Sequence, residues 1–235
     1  MRISVEVYLA GSHIGVSLAE PLSDDELVDV YDDALNKVGV ATRSEAHRKG
    51  YWHLNLHCWI VTKRKGGAVI FQVRSEDKPT FAGLLDSTVG GHYKAGEKLE
   101  DVAREIKEEI GLEPDVEKLV PLGSRVDVTG HDGLSKREIA EVFFIRDDRP
   151  LRAYEVDPLE VRALVEVRIW DGLRVFSGRA KKIKAAGVEW DRTGRATETK
   201  MEVTKGGFVP KMDSYYMTLF IMAMRLLKGD RYLSI

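Results

Sequence analysis

The sequence predicts an α/β fold, and three observations carry that prediction. Several separate runs alternate apolar with polar residues, the period of two that marks strands. One short segment, residues 104–110, has helical spacing with acidic and apolar residues on opposite sides. A strongly apolar segment, residues 213–228, predicts a second helix near the C-terminus. With 235 residues, 43% hydrophobic and 31% charged, the chain is long enough for one large domain or one domain with an appendage.

Residues 2–18 alternate as Ile3, Val5, Val7, Leu9 and again as Ile14, Val16, Leu18, with a turn at Ala10-Gly11-Ser12-His13. That pattern predicts a hairpin. An isolated hairpin is marginal in water, so it is expected to add to the main sheet or to a second subunit, as in a homodimer. Pro21 and Ser23-Asp24-Asp25 mark a linker. The first core strand is expected over 53–61, then a basic turn over 63–67 and a second strand over 68–74. His57 within the first strand reads as a packed core histidine. Further strands are expected over 120–128, 138–145 and 163–169, with a loop over 129–133.

Lys181, Lys182 and Lys184 form a basic cluster on a solvated face, or a lid over an anionic substrate. Residues 188–203 read as a hairpin around Asp191-Arg192-Thr193-Gly194, with Trp190 on one arm. The helix over 213–228 takes Asp213 or Ser214 as its cap and presents Tyr215, Leu219, Met222 and Leu226 on one core-facing side. The organisation expected is an N-terminal hairpin over 1–25, a main domain over 26–172 and a C-terminal extension over 173–235.

A net charge of −2 and a pI near 6.3 argue against a dedicated nucleic-acid binder. Cys58, the single cysteine, has no internal disulfide partner, which fits a reducing cytoplasm. No basic start precedes a long apolar core, and no apolar run reaches membrane-spanning length. Neither secretion nor a membrane partner is therefore expected.

Chemistry concentrates in the helix over 104–110. Glu105, Glu108 and Glu109 share one side by spacing, with Arg104 beside them, while Val102, Ile106 and Ile110 supply the apolar side. Like charges so placed cost an isolated helix a few tenths of a kcal/mol per pair, roughly. A hard divalent cation with oxygen ligands removes that penalty. A solvated acidic face is the alternative for these three carboxylates alone. Gly111 is placed to end the helix.

Taken with Gly91 and Glu97, the pattern resembles the Nudix box, G-x5-E-x7-R-E-U-x-E-E-x-G-U with U aliphatic. Arg104, Glu105, Ile106, Glu108, Glu109, Gly111 and Leu112 match every fixed position of its second half. The spacer over 98–103 is one residue shorter than in the family, which turns Glu97 by about a quarter of a helical turn. The resemblance implies a Nudix α/β/α sandwich, a mixed sheet between helices, with an N-terminal β-hairpin and a C-terminal helical extension. It also implies Mg²⁺- or Mn²⁺-dependent hydrolysis of a diphosphate linked to another moiety. Glu105, Glu108 and Glu109, joined by Glu138 (or else Glu141), would bind the metal. Arg104 would orient the glutamates, and the Gly90-Gly91 backbone would approach the ion.

Two flanking phrases, Arg43-Ser44-Glu45-Ala46-His47-Arg48-Lys49-Gly50-Tyr51-Trp52-His53 and the stretch from Gln72 to Asp86, resemble the Nudix subgroup similar to type I isopentenyl-diphosphate isomerase. By that resemblance Arg74, Lys78 and Arg48 would contact the diphosphate. His47, His53 and His92, with Glu138, match the isomerase's own metal site, a possible second metal site that competes with a structural use of the histidines. The isomerase's catalytic cysteine precedes the pair that here is Gly91-His92, and this chain has Gly90 there, so isomerisation is not expected. Three functions remain: hydrolysis of a nucleoside diphosphate derivative, which is favoured; hydrolysis of an isoprenoid diphosphate, with Phe81 and Leu85 suited to a prenyl tail; and a non-catalytic binding module.

Overall fold

The computed structural model describes residues 6–9, 12–15, 25–78, 80–131, 134–211 and 213–235. In chain order its elements begin with strands β1 (Glu6–Leu9), β2 (Ser12–Gly15), β3 (Leu27–Tyr31) and β4 (Lys37–Thr42), helix α1 (Arg43–Lys49), and strands β5 (Trp52–Thr62), β6 (Ala68–Arg74), β7 (Leu85–Asp86) and β8 (Val89–His92). Helices α2 (Leu99–Val102) and α3 (Arg104–Ile110) follow, then β9 (Val120–His131), β10 (Leu134–Arg146) and β11 (Val161–Arg168). Helix α4 (Ile169–Phe176), the strands β12 (Lys182–Trp190) and β13 (Ala196–Thr204), and helix α5 (Tyr215–Lys228) complete the chain.

An 11-stranded sheet runs in the order β13-β12-β11-β6-β5-β10-β9, with β3 and β8 also pairing β5, β4 pairing β3, and β7 pairing β6. The chain groups into two compact units. The first takes Met1–Leu56, Gly91–Val102 and Arg125–Ala140; the second takes His57–Gly90, Ala103–Ser124 and Glu141–Ile235.

In the second unit, β6 is buried along nearly its whole length, as a strand covered on both faces must be. Val69, Phe71 and Val73 share a core with Leu219, Phe220 and Ala223 of α5. Gln72, which the pleat turns the other way, reaches Glu109 of α3 with 3.5 Å between Nε2 and Oε2. Helices therefore lie on both faces of this part of the sheet, the layering expected. Burying a side chain such as Phe71 or Phe220 contributes roughly 1.5–3 kcal/mol over leaving it exposed. Polar atoms in that core are paired: the Tyr215 hydroxyl accepts from Trp59 Nε1 at 3.0 Å and lies 3.0 Å from His57 Nδ1. His57 is thus the packed core histidine its setting suggested. Ser214 is the N-cap of α5, and Asp213 Oδ1 just before it accepts from Tyr215 N at 3.1 Å.

The first unit has a small core of Val28, Val30, Ala41 and Ala46. β3 turns into β4 around Asp32, whose Oδ1 accepts from the backbone N–H groups of Ala34 and Asn36, each at 2.9 Å. α1 starts at Thr42, whose Oγ1 accepts from Glu45 N at 3.2 Å, and stops at Gly50.

Several elements differ from expectation. β1 and β2 pair antiparallel in the expected hairpin, and among the described residues neither pairs with a strand of the large sheet. Val16, Leu18 and the linker residues Pro21, Ser23 and Asp24 lie outside the described residues. The loop expected over 129–133 is partly strand, since β9 extends to His131. Val102 belongs to the short α2, separated from α3 at Ala103. β12 pairs antiparallel with β11, so the hairpin expected over 188–203 continues the large sheet. β3, β4, α1 and α4 were not foreseen. α1 buries only Ala46, so it shows little apolar periodicity. α4 contains Asp171-Gly172, which reads as a turn; its glycine is needed because a Cβ there would lie 2.3 Å from the Phe220 ring.

Candidate active site and metal-binding cluster

In the second unit, Ile106 and Ile110 are fully buried and fix the rotation of α3. That rotation carries Glu109 inside, where it is 6% exposed, and leaves Glu108 outside. The Arg104 guanidinium contacts the Glu105 carboxylate and lies 3.1 Å from Glu108 Oε2, so it ties the two together. Burial, and then the Glu105 charge, push the Glu109 carboxyl up to about 8, against the opposing influence of Lys78, the Gly90 N–H and Arg74.

Gly111 closes α3 at a φ of 63° with its N–H donating to Lys107 O at 2.9 Å. Two orphan carbonyls of the last turn are met from outside: Glu155 N donates to Ile110 O at 3.2 Å, and Asp157 N to Glu109 O at 3.0 Å. A Cβ at position 111 would lie 2.7 Å from that of Glu155, so this approach requires glycine.

Arg74 Nη1 is 3.2 Å from Asp86 Oδ2, and its Nε donates to Thr80 O at 3.2 Å. The Lys78 ammonium pairs with Glu160. Both cations act on the Glu109 carboxyl while held by carboxylates of their own. Cys58 is buried, and burial followed by the Glu109 charge raises its thiol far above the ordinary range.

In the first unit, His47 of α1, His53 of β5, His92 of β8 and Glu138 of β10 bring their ligand atoms within 4.8 Å of one another. Glu138 Oε1 lies 3.1 Å from Nε2 of His92, 3.6 Å from that of His53 and 3.8 Å from that of His47. His53 Nδ1 is 3.0 Å from Tyr51 O, so it carries a proton there and directs Nε2 into the cluster. Asn55 Nδ2 donates to Glu138 Oε2 at 3.1 Å.

Burial above all, then the charges of Lys136 and the other imidazoles, push His47 down to about 3, and burial likewise lowers His92. Burial would raise Glu138, yet the imidazoles of His53 and His92 and the Lys136 charge hold it well below the ordinary carboxylate value. Imidazoles kept neutral, as burial keeps those of His47 and His92, are the donor form for a divalent transition ion.

The sequence candidates thus fall into two groups. Glu105, Glu108, Glu109, Arg104, Arg74 and Lys78 belong to the second unit; Glu138, His47, His53 and His92 belong to the first. Gly91 lies in β8 beside His92, and the Arg48 side chain is exposed on α1, 4.0 Å from Glu45. Glu97 closes a local turn, its Oε2 accepting from Lys94 N at 2.7 Å.

A family model described as NUDIX domain matches residues 51–183. The chain belongs to the Nudix family. An uncharacterized Nudix hydrolase of Clostridium acetobutylicum is 32% identical over 196 residues, 82% of this chain and 94% of that one. The isopentenyl-diphosphate Delta-isomerase of Agromyces mediolanus is 29% identical over 162 residues, covering 64% of this chain and 77% of that one. A crystal structure of a protein from Deinococcus radiodurans matches with a TM-score of 0.50 at 21% identity, covering 65% of this chain and 90% of that one, a likeness of fold alone.

This Nudix hydrolase is a pyrophosphohydrolase, of a family whose enzymes use divalent metal ions. Its family match includes α3, His53, His92 and Glu138, whereas His47 lies just ahead of it. Among its described residues no helix is long and apolar enough to cross a membrane. Sequence reasoning missed Gln72, Asp86 and Glu160, which face α3 or hold the cations, and Asn55, which holds Glu138. An unexpected amide inside the apolar run of β5 was the one available signal for Asn55.

Proposed function

We propose that this Nudix hydrolase cleaves the diphosphate of a nucleoside diphosphate derivative, using Mg²⁺ or Mn²⁺ held by Glu105, Glu108 and Glu109. The observation that carries the proposal is the Glu109 carboxyl, buried next to Glu105 and pushed up to about 8. Two carboxyls forced together in a partly dry site are a poor arrangement alone and a good one for a hard cation. The ion would neutralise the diphosphate and acidify water at neutral pH. Arg104 would keep Glu105 and Glu108 in orientation. Arg74 and Lys78 would bind diphosphate oxygens by exchanging their contacts with Asp86 and Glu160 for the substrate. Water oxygen bonds to phosphorus, the anhydride bond breaks toward the departing phosphate, and a carboxylate of α3 takes the water's proton.

An isoprenoid diphosphate is the second candidate, supported by the 29% identity to the Agromyces isomerase. Against it, Leu85 is buried within the core cluster and is not free to meet a prenyl tail. Isomerisation of such a substrate is not expected, since Cys58 is buried in β5 and Gly90 holds the place of the isomerase's catalytic cysteine. The deciding experiment is product release with Mg²⁺ or Mn²⁺ from ADP-ribose, NADH, dinucleoside polyphosphates, nucleoside triphosphates, and isopentenyl and geranyl diphosphates. Preference for a nucleotide supports the proposal, preference for a prenyl diphosphate supports the second candidate, and turnover of none supports a non-catalytic module. In the first unit, His47, His53, His92 and Glu138 would hold a separate transition ion, a donor set suited to Zn²⁺, Co²⁺ or Mn²⁺.

A further inference from the structure

We propose, on the transition-metal reading of the histidine cluster, that Asn55 is its positioning residue, holding Glu138 through Nδ2 and accepting through Oδ1 a hydrogen bond from water that enters with the ion. Asn55 is 6% exposed, and Nδ2 donates to Glu138 Oε2 at 3.1 Å. The direction of this contact is fixed by chemistry. A carboxylate that ligates a cation offers only acceptors, so the amide must turn its NH₂ toward it. With Oε2 engaged, Oε1 is the oxygen left facing the three imidazole Nε2 atoms, at 3.1, 3.6 and 3.8 Å.

The same amide plane leaves Oδ1 buried and without a hydrogen-bond partner among the described residues. A buried acceptor with no donor is unfavourable, so an amide there is explained by a donor that arrives with a ligand. Neither a leucine nor an alanine at position 55 would carry that cost. An ion that takes more than four ligands, as Co²⁺ or Mn²⁺ can, would bring such a donor, since four protein ligands leave it positions for water. Partners of this kind, which touch the ligand side chains rather than the ion, commonly control metal affinity by ten- to a hundredfold, roughly.

The test uses the full chain, stripped of metal, with Co²⁺ as the probe because its visible spectrum reports nitrogen and oxygen ligation. In excess Mg²⁺, which occupies the α3 carboxylates, wild type should bind one Co²⁺ with a ligand-field spectrum that His92→Ala abolishes. Asn55→Leu should weaken Co²⁺ binding by about ten- to a hundredfold and alter the spectrum. Its circular dichroism and metal-free melting temperature should stay near wild type, because the substitution removes one hydrogen bond and one unsatisfied acceptor together. Asn55→Ala is the second variant, should leucine prove too bulky. Co²⁺ affinity and spectrum unchanged in both, whatever happens to the metal-free melting temperature, would assign Asn55 a structural role and overturn the proposal. In excess Mg²⁺, failure of wild type to bind Co²⁺, or a nitrogen-ligated Co²⁺ spectrum that survives His92→Ala, would overturn the cluster's metal assignment and this inference with it.

Discussion

Replacing Glu109 with glutamine should make the metal-free protein more stable at alkaline pH. The Glu109 carboxyl moves from an ordinary value of 4.5 to about 8 because it is buried and faces Glu105. A carboxyl raised in the folded state favours folding while protonated. Its contribution is whole below pH 4.5 and is lost as pH rises to about 8. At about 1.36 kcal/mol per unit, the loss has a ceiling of about 5 kcal/mol, shared between Glu109 and Glu105 because their ionisations are linked. Urea denaturation in a chelator at steps from pH 5 to 8.5 measures it. Wild type should lose several kcal/mol over that range, whereas Glu109→Gln should stay nearly flat and end as the more stable protein at pH 8.5. Adding Mg²⁺ should restore wild type most at high pH and do little for the variant. Parallel pH profiles for the two proteins would refute this account of Glu109.

Other sites make equally definite claims. Gly172→Ala places a methyl group 2.3 Å from the Phe220 ring and should destabilise by about 1–3 kcal/mol in chemical denaturation. Tyr215→Phe removes the acceptor of Trp59 Nε1 and the contact to His57 Nδ1. It should cost about 1–3 kcal/mol in the same assay and change the tryptophan fluorescence. Cys58, buried and with its thiol raised by burial and by Glu109, should not react with Ellman's reagent until the protein unfolds.

Elements whose hydrophobic period matched their secondary structure were legible in the sequence. β6 was expected over the residues it occupies, and α3 showed its acidic and apolar sides because Ile106 and Ile110 recur at helical spacing. β3 and α1 escaped notice because each is short and buries few side chains. The Nudix box made the α3 glutamates visible as a group, but spacing could not show that Glu109 alone goes inside. That depends on how the isoleucines seat the helix. The histidine cluster draws one residue from each of four elements spread over 47–138, so only a family resemblance suggested it. Asn55 left no trace beyond a polar residue in an apolar strand, because its role lies in the carboxylate it touches 83 residues away. Asp86 and Glu160 were equally silent, since a carboxylate's cation partner cannot be read from composition.

The most direct test of the central claim is Mg²⁺-dependent product release from the best substrate of the panel, measured for wild type, Glu105→Gln and Glu108→Gln. The account predicts that both variants fold normally and lose turnover by about a hundredfold or more, because each surrenders a carboxylate that holds the ion. Wild-type turnover in either variant, at unchanged Mg²⁺ dependence, would contradict the assignment of α3 as the metal-binding catalytic element.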